Sequence, residues 1–366
     1  MIENIEIKNF KSIKEANVPL KNINLLVGAN GAGKSNFISF LKLLTSIKNF
    51  ELNRYIADSG FMSNLIYFGN KEGTNFGGAI TFLQVDGKEL KYQFSLSPDR
   101  TDKAIFDKEN LYIRVKGQNW ETKIIDDNLT AYSVFFSESD PNFSQDLTDC
   151  FDSLAVYHFH DTSRYNLRAT PMLDNNSYLE ENGINLPAFL YWIYQKYPQT
   201  FNIIERVIRS VFPQFKRFRL APHRDNSLYI QLEWQEEGFD RYQNAHNLSE
   251  GTLRFIALTT LMLQPEPPKI IIIDEPELGL HPSAIETLAG LVRKVSAKSQ
   301  VILATQSIQL VNNFEPEDII VVDRDRENRQ SIFTRADEIP HIQLQDWLEE
   351  YGLGEIWFKG LIGGKP

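Results

Sequence analysis

The stretch Gly28-Ala29-Asn30-Gly31-Ala32-Gly33-Lys34-Ser35 decides the reading of this chain. It fits the pattern G-x-x-x-x-G-K-[ST] of a phosphate-cradling P-loop. The apolar run Ile23-Asn24-Leu25-Leu26-Val27 leads into it and reads as a buried strand; Asn36 to Thr45 leaves it as a helix. Glycines let successive backbone N–H groups turn toward phosphate oxygens, and the helix N-terminus adds partial positive charge. In such a loop Lys34 reaches the β- and γ-phosphates and the Ser35 hydroxyl ligates Mg²⁺. The order of strand, loop and helix separates the stretch from a chance match.

Downstream, Ile270-Ile271-Ile272-Ile273-Asp274-Glu275 has complementary chemistry. Four consecutive apolar residues suit a strand buried on both faces. At its carboxyl end Asp274 is expected to hold Mg²⁺ through water, and Glu275 to orient or deprotonate an attacking water. Before this Walker B strand lies Leu248-Ser249-Glu250-Gly251-Thr252, where Ser249 is a natural N-cap for a helix over Thr252–Leu263. That helix is roughly 18 Å long, and the turn Pro265-Glu266-Pro267-Pro268 feeds the strand. The cap therefore sits on an adjacent lobe, exposed, at a helix end suited to an anion.

The remaining chain frames these motifs. The 366 residues suffice for two or three lobes, and 42% hydrophobic with 23% charged residues is an ordinary soluble profile. No apolar run approaches the ~20 residues that span a bilayer, and Met1 to Ile7 alternates like a strand rather than opening a signal peptide. A single cysteine, Cys150, excludes an internal disulfide and a cysteine zinc site. These features point to the cytoplasm. The net charge of −10 argues against a surface coated for nucleic acid; the densest basic cluster, Lys216-Arg217-Phe218-Arg219, reads as a solvated face.

Short strands are expected at Ile2–Ile7, Ala16–Leu20 and Ile23–Val27, with a turn at Asn9–Ser12. Antiparallel strands follow at Gly78–Val85, Glu89–Leu96 and Asn110–Val115, the first two joined at Asp86-Gly87. Leu154–Phe159 is a compact apolar run, residues 185–212 carry two helices bracketed by Pro187, Pro198 and Pro213, and Ser227–Trp234 reads as a strand. From residue 248 the pattern is α/β: helix Ser283–Ser296, strand Val301–Ala304, strand Ile319–Val322. There are no sustained heptads, so no long coiled-coil arm is expected.

The P-loop, the L-S-x-G-x motif, the Walker B strand with its adjoining glutamate, and Glu277-Leu278-Gly279-Leu280-His281-Pro282 together resemble an ATP-binding-cassette ATPase. The variant is similar to the OLD/RecF/SMC-like branch of predicted AAA ATPases, whose opening Ile7-Lys8-Asn9-Phe10-Lys11-Ser12-Ile13 also matches. The resemblance covers both ends, about half of the chain. It implies an α/β P-loop NTPase head with an antiparallel β subdomain and an inserted helical lobe. Residues 1–50 and 248–335 would form the core with strands from 78–160, residues 161–247 the inserted lobe, and 336–366 a tail. It also implies ATP and Mg²⁺ as ligands and a head-to-tail homodimer, with higher oligomers open. Gly28 to Asn36 of one subunit would then face Ser249, Glu250 and Gly251 of the other, and His281 would open a helix at the interface.

Two departures stand out. Gln306 follows strand Val301–Ala304 where many relatives carry histidine; its amide can donate a neutral hydrogen bond to the γ-phosphate but cannot take up a proton or carry a charge. Gln306 joins Glu275 and Lys34 as the expected catalytic set, and slow basal turnover is expected. No clear Q-loop is present. The loop after Leu154–Phe159 takes its place, so His160 or Asp161 is expected to meet the metal, alongside Ser35 and Asp274, with Gln84 a weaker candidate and a packed loop histidine the competing reading of His160. ATP hydrolysis is the expected reaction. The resemblance implies antiphage defence as its output, and a separate nuclease or toxin-like effector is expected because the 60 residues after Gln306 are too few for the Toprim nuclease domain that OLD-type proteins append. A RecF-like DNA-repair ATPase is the alternative, and a transporter ATPase subunit a weaker one; a membrane partner is not expected.

Overall fold

The structure, a computed structural model, describes residues 1–69, 75–84, 86–115, 118–126, 130–133, 135–136, 141–163, 165–223, 225–325, 327–338 and 351–363. The chain opens with β1 (Ile2–Phe10), β2 (Ile13–Pro19) and β3 (Ile23–Val27), then α1 (Lys34–Lys48), α2 (Leu52–Asp58) and α3 (Met62–Leu65). Next come β4 (Phe76–Leu83), β5 (Lys88–Pro98), β6 (Ala104–Val115), β7 (Glu121–Asp126), α4 (Pro141–Asp152) and β8 (Leu154–Tyr157). The middle holds α5 (Leu186–Lys196), α6 (Pro198–Val211), β9 (Phe215–Arg219), β10 (Glu233–Glu236) and β11 (Tyr242–Asn244). The last part runs α7 (Glu250–Leu263), β12 (Ile270–Asp274), α8 (Pro282–Val295), β13 (Gln300–Thr305), α9 (Ile308–Val311), β14 (Ile319–Arg324), β15 (Ser331–Arg335) and α10 (Leu353–Phe358).

One sheet has the order β15-β14-β3-β13-β12-β8. The five strands from β14 to β8 are parallel, and β15 is an antiparallel edge. A parallel sheet must be covered on both faces, which is why its strands read as unbroken apolar runs. Alternation then divides each strand between two cores. Leu25, Ile271, Ile273 and Leu303 pack with α5, α7 and α8; Leu26, Ile270, Ile272 and Ile302 pack with α1 and the inner face of a second sheet. That second sheet is antiparallel, ordered β2-β1-β4-β5-β6-β7. Helix α1 is wedged between the two sheets, with Phe40 5.5 Å from Phe10 and 5.9 Å from Phe94 by ring centroids. Burying such large side chains anchors the P-loop helix by roughly 2 kcal/mol each.

The middle of the chain pairs α5 and α6 with a small sheet ordered β11-β10-β9. Lys216–Arg219 lies on β9 of this sheet, its basic side chains exposed or half-buried as a solvated face requires. The interleaved phenylalanines anchor the strand: Phe215 and Phe218 enter the core while Arg217 stays exposed. The strand expected over Ser227–Trp234 forms later, at Glu233–Glu236; residues 227–232 carry only isolated bridges, Tyr229 to Met172 and Ile230 to Pro222. Strand β1 also runs on through Phe10, and its turn is made by Lys11 in a left-handed conformation, φ 50°. The expected hairpin end Val85 and the tail residues 339–350 and 364–366 lie outside the described residues.

Candidate functional site

The carboxyl ends of four adjacent parallel strands deliver the expected groups to one edge. The P-loop follows β3, Gln306 follows β13, Asp274 ends β12, and His160 lies just beyond β8. Open α/β sheets bind ligands at this edge. The order places Gln306 between the phosphate loop and the acidic pair, although in sequence it lies beyond both.

Helix α1 begins with Gly33 as N-cap, without a side-chain cap and without an acidic residue in its first turn. Its N-terminal N–H groups are therefore left for an anion. Gly33 has φ +125°, and a Cβ there would lie 2.1 Å from Ser331 Oγ. Behind the loop, Ser331 Oγ lies 2.6 Å from Ser12 Oγ and 2.5 Å from the Ala32 carbonyl, and Asn36 Nδ2 donates to Ser12 Oγ at 2.6 Å. Ser12 and Ser331 thus brace the loop from outside. Ser12 could be suspected from the opening motif that contains it; Ser331, on an edge strand, gave no signal. Gly33→Ala is expected to lower the melting temperature and weaken nucleotide binding at least about tenfold, through left-handed strain and this clash; thermal melts and a fluorescent-nucleotide titration check it.

Lys34 is 4% exposed, and its Nζ donates to the carbonyls of Gly28 at 2.6 Å and Ala29 at 3.0 Å. Burial pushes its pKa down, while Asp274, Glu275 and Glu277 push it up. Burial likewise raises Asp274, and a hydrogen bond from the Ser35 side chain opposes the rise. Asp274 Oδ1 is buried without a hydrogen-bond partner among the described residues. A hydroxyl against a carboxylate that has an unsatisfied oxygen suits a hard, oxygen-seeking cation beside phosphates. Ser35 and Asp274 would hold Mg²⁺.

Glu275 takes a left-handed backbone, φ +46°, rare for a side chain of this kind. Its N–H is tied to the Ala304 carbonyl at 2.8 Å, and Gln306 Nε2 donates to its Oε1 at 2.9 Å. The expected pair is therefore in direct contact. His160 Nε2 meets the Asp274 carbonyl at 3.0 Å. A carbonyl only accepts, so in this arrangement Nε2 carries a proton. Asp161 instead closes a local turn with the Ser163 N–H and Asn166, and the Gln84 amide points to Cys150 Sγ at 3.9 Å.

Ser249 caps α7, accepting from the Thr252 N–H at 3.1 Å, and both Ser249 and Glu250 are exposed. Gly251 is pressed on the next turn: a Cβ there would lie 2.1 Å from the Gly279 carbonyl. Arg254, missed by the sequence reading, ties this helix to the site. Its guanidinium donates to the carbonyls of Phe159 (3.1 Å), His160 (2.8 Å) and Leu278 (3.0 Å) and reaches Glu250 at 3.3 Å. His281 caps α8 through Ser283.

A family model described as "AAA domain, putative AbiEii toxin, Type IV TA system" matches residues 23–312. The Smc head bound to the C-terminal winged-helix domain of ScpA superposes with a TM-score of 0.62 at 17% identity, covering 92% of this chain and 98% of that one. An Smc head with an extended coiled coil, bound to the C-terminal domain of ScpA and derived from Pyrococcus furiosus, gives 0.61 at 16% identity, covering 95% and 99%. At these identities the likeness establishes the fold alone: that of an Smc head domain. No match is found among curated proteins.

Proposed function

Because this chain belongs to the family described as "AAA domain, putative AbiEii toxin, Type IV TA system", we propose that it binds and hydrolyses ATP and that ATP drives two copies together. The observation that carries the reading is the meeting of Lys34, Ser35, Asp274, Glu275 and Gln306 at one sheet edge. Lys34 and the α1 N-terminus bind the triphosphate. Glu275, held by Gln306, orients the water and accepts its proton. Ser35 and Asp274 would hold a Mg²⁺, which would supply charge neutralisation at the phosphate oxygens.

Ser249 belongs to the partner's pocket in this reading. Its exposed, capped helix end has the polarity to meet the phosphates of a second copy. ATP then acts as a ligand that favours the closed dimer, and hydrolysis reverses the shift. The family's description, which names a type IV toxin–antitoxin system, supports an output of that kind.

Light scattering with Mg²⁺ and a non-hydrolysable ATP analogue tests this. The expected mass doubles over the nucleotide-free chain, and Ser249→Arg, which places bulk and charge at the helix tip, prevents the doubling while leaving nucleotide binding intact. A wild-type chain that stays monomeric with nucleotide bound overturns the dimer, and failure to hydrolyse ATP overturns the enzyme.

A further inference from the structure

Glu277 stands two residues beyond Glu275, after the left-handed residue and Pro276 have turned the chain back on itself. That turn aims its carboxylate at the tip of β13. One oxygen, Oε1, accepts from both Thr305 Oγ1 at 2.6 Å and the Gln306 N–H at 3.0 Å. Thr305 Oγ1 in turn accepts the Ser307 N–H at 3.0 Å. The whole Thr305-Gln306-Ser307 segment is thus fastened to a single carboxylate from the neighbouring strand's turn. The Gln306 side chain then reaches back to Glu275 Oε1 at 2.9 Å. The loop of contacts closes: Glu277 holds the main chain of Gln306, and Gln306 holds the carboxylate of Glu275.

We infer that Glu277 is a positioning residue for hydrolysis, fixing the Gln306 backbone so that the Gln306 amide occupies one oxygen of Glu275 and leaves the other to the attacking water. The inference rests on the reading of Glu275 as the water-orienting group. A carboxylate suits the task because one oxygen can accept two donors, and the bonds it makes are stronger than those of a neutral acceptor. A glutamine amide is a weaker orienter than a charged side chain, so its own direction must come from a fixed backbone. Misplacing a catalytic group by about 1 Å can cost on the order of 100-fold in rate.

A double-mutant cycle separates this role from mere turn stability. Glu277→Ala is expected to lower kcat about 10- to 50-fold with KM within about threefold, and Gln306→Ala to do much the same. The double variant should be no slower than the slower single variant, because both changes remove one chain of contacts. Glu277→Gln, whose amide oxygen still accepts from Thr305 and Gln306, should recover most of the loss. Where Glu277→Ala does not fold, Thr305→Val removes one donor, keeps the shape and takes its place in the cycle. Additive losses, or Glu277→Ala at wild-type kcat, overturn the inference alone. A wild-type chain without hydrolysis overturns it together with the proposed function.

Discussion

Glu275→Gln is expected to slow ATP hydrolysis by about 100- to 1000-fold, the range for a lost general base, while ATP affinity stays within a few-fold. The physical ground is local. Glu275 lies at the end of a buried strand, its backbone held left-handed at φ +46° and tied to Ala304. Residues in such conformations persist where the surrounding structure over-determines them, which is common at functional sites. The glutamine is isosteric and can still meet Gln306, so the site keeps its shape and loses only basicity. Lys34, Ser35 and Asp274 remain to bind the nucleotide. With binding intact and turnover blocked, the ATP-bound dimer should accumulate, visible as a doubled mass that persists with ATP itself. Single-turnover kinetics beside an equilibrium titration check both halves; a variant that hydrolyses at the wild-type rate would remove Glu275 from the mechanism.

Lys34→Ala is expected to act earlier and to cost more, roughly 1000-fold or beyond in kcat/KM, on the scale of a lost preorganised donor in a dry site. Lys34 is almost wholly buried, its ammonium held by the Gly28 and Ala29 carbonyls among three carboxylates. Those carboxylates oppose part of the effect of burial on an ammonium that sits where triphosphate charge would arrive. Removing it leaves a loop that still offers N–H groups but faces Asp274, Glu275 and Glu277 without a counter-charge. Nucleotide binding should fall with turnover, unlike in Glu275→Gln. The two loop carbonyls also lose a donor, at about 1 kcal/mol each, so the melting temperature should drop by a few degrees. A variant that binds and hydrolyses ATP as the wild type does would overturn the P-loop assignment.

The individual motifs were legible because each is local. Strand Ile23–Val27 has the observed bounds that its apolar run suggests, and Ser249 caps its helix as its residue type implies. The misplacements have physical causes as well. Ser227–Trp234 alternates like a strand, yet pairing partners for a ladder arise only from Glu233 onward. The cluster Lys216–Arg219 is the solvated basic face expected of it; what the count of basic residues leaves out is the strand that carries it, anchored by Phe215 and Phe218.

Amino-acid order alone determined the chemistry: a glycine-rich loop before a lysine and a hydroxyl, a carboxylate pair at the end of an apolar strand, a serine at a helix start. Each depends on residues a few positions apart, within reach of one turn or one strand. Tertiary structure decided what those groups touch. The insertion of β13 between β3 and β12 sets Gln306 against Glu275. The pairing of Ser12 with Ser331, 319 positions away, braces Gly33. Arg254 gathers carbonyls from two other loops, and Glu277 turns toward β13. Such contacts leave no periodicity behind, because their partners meet only after the sheet has chosen its strand order.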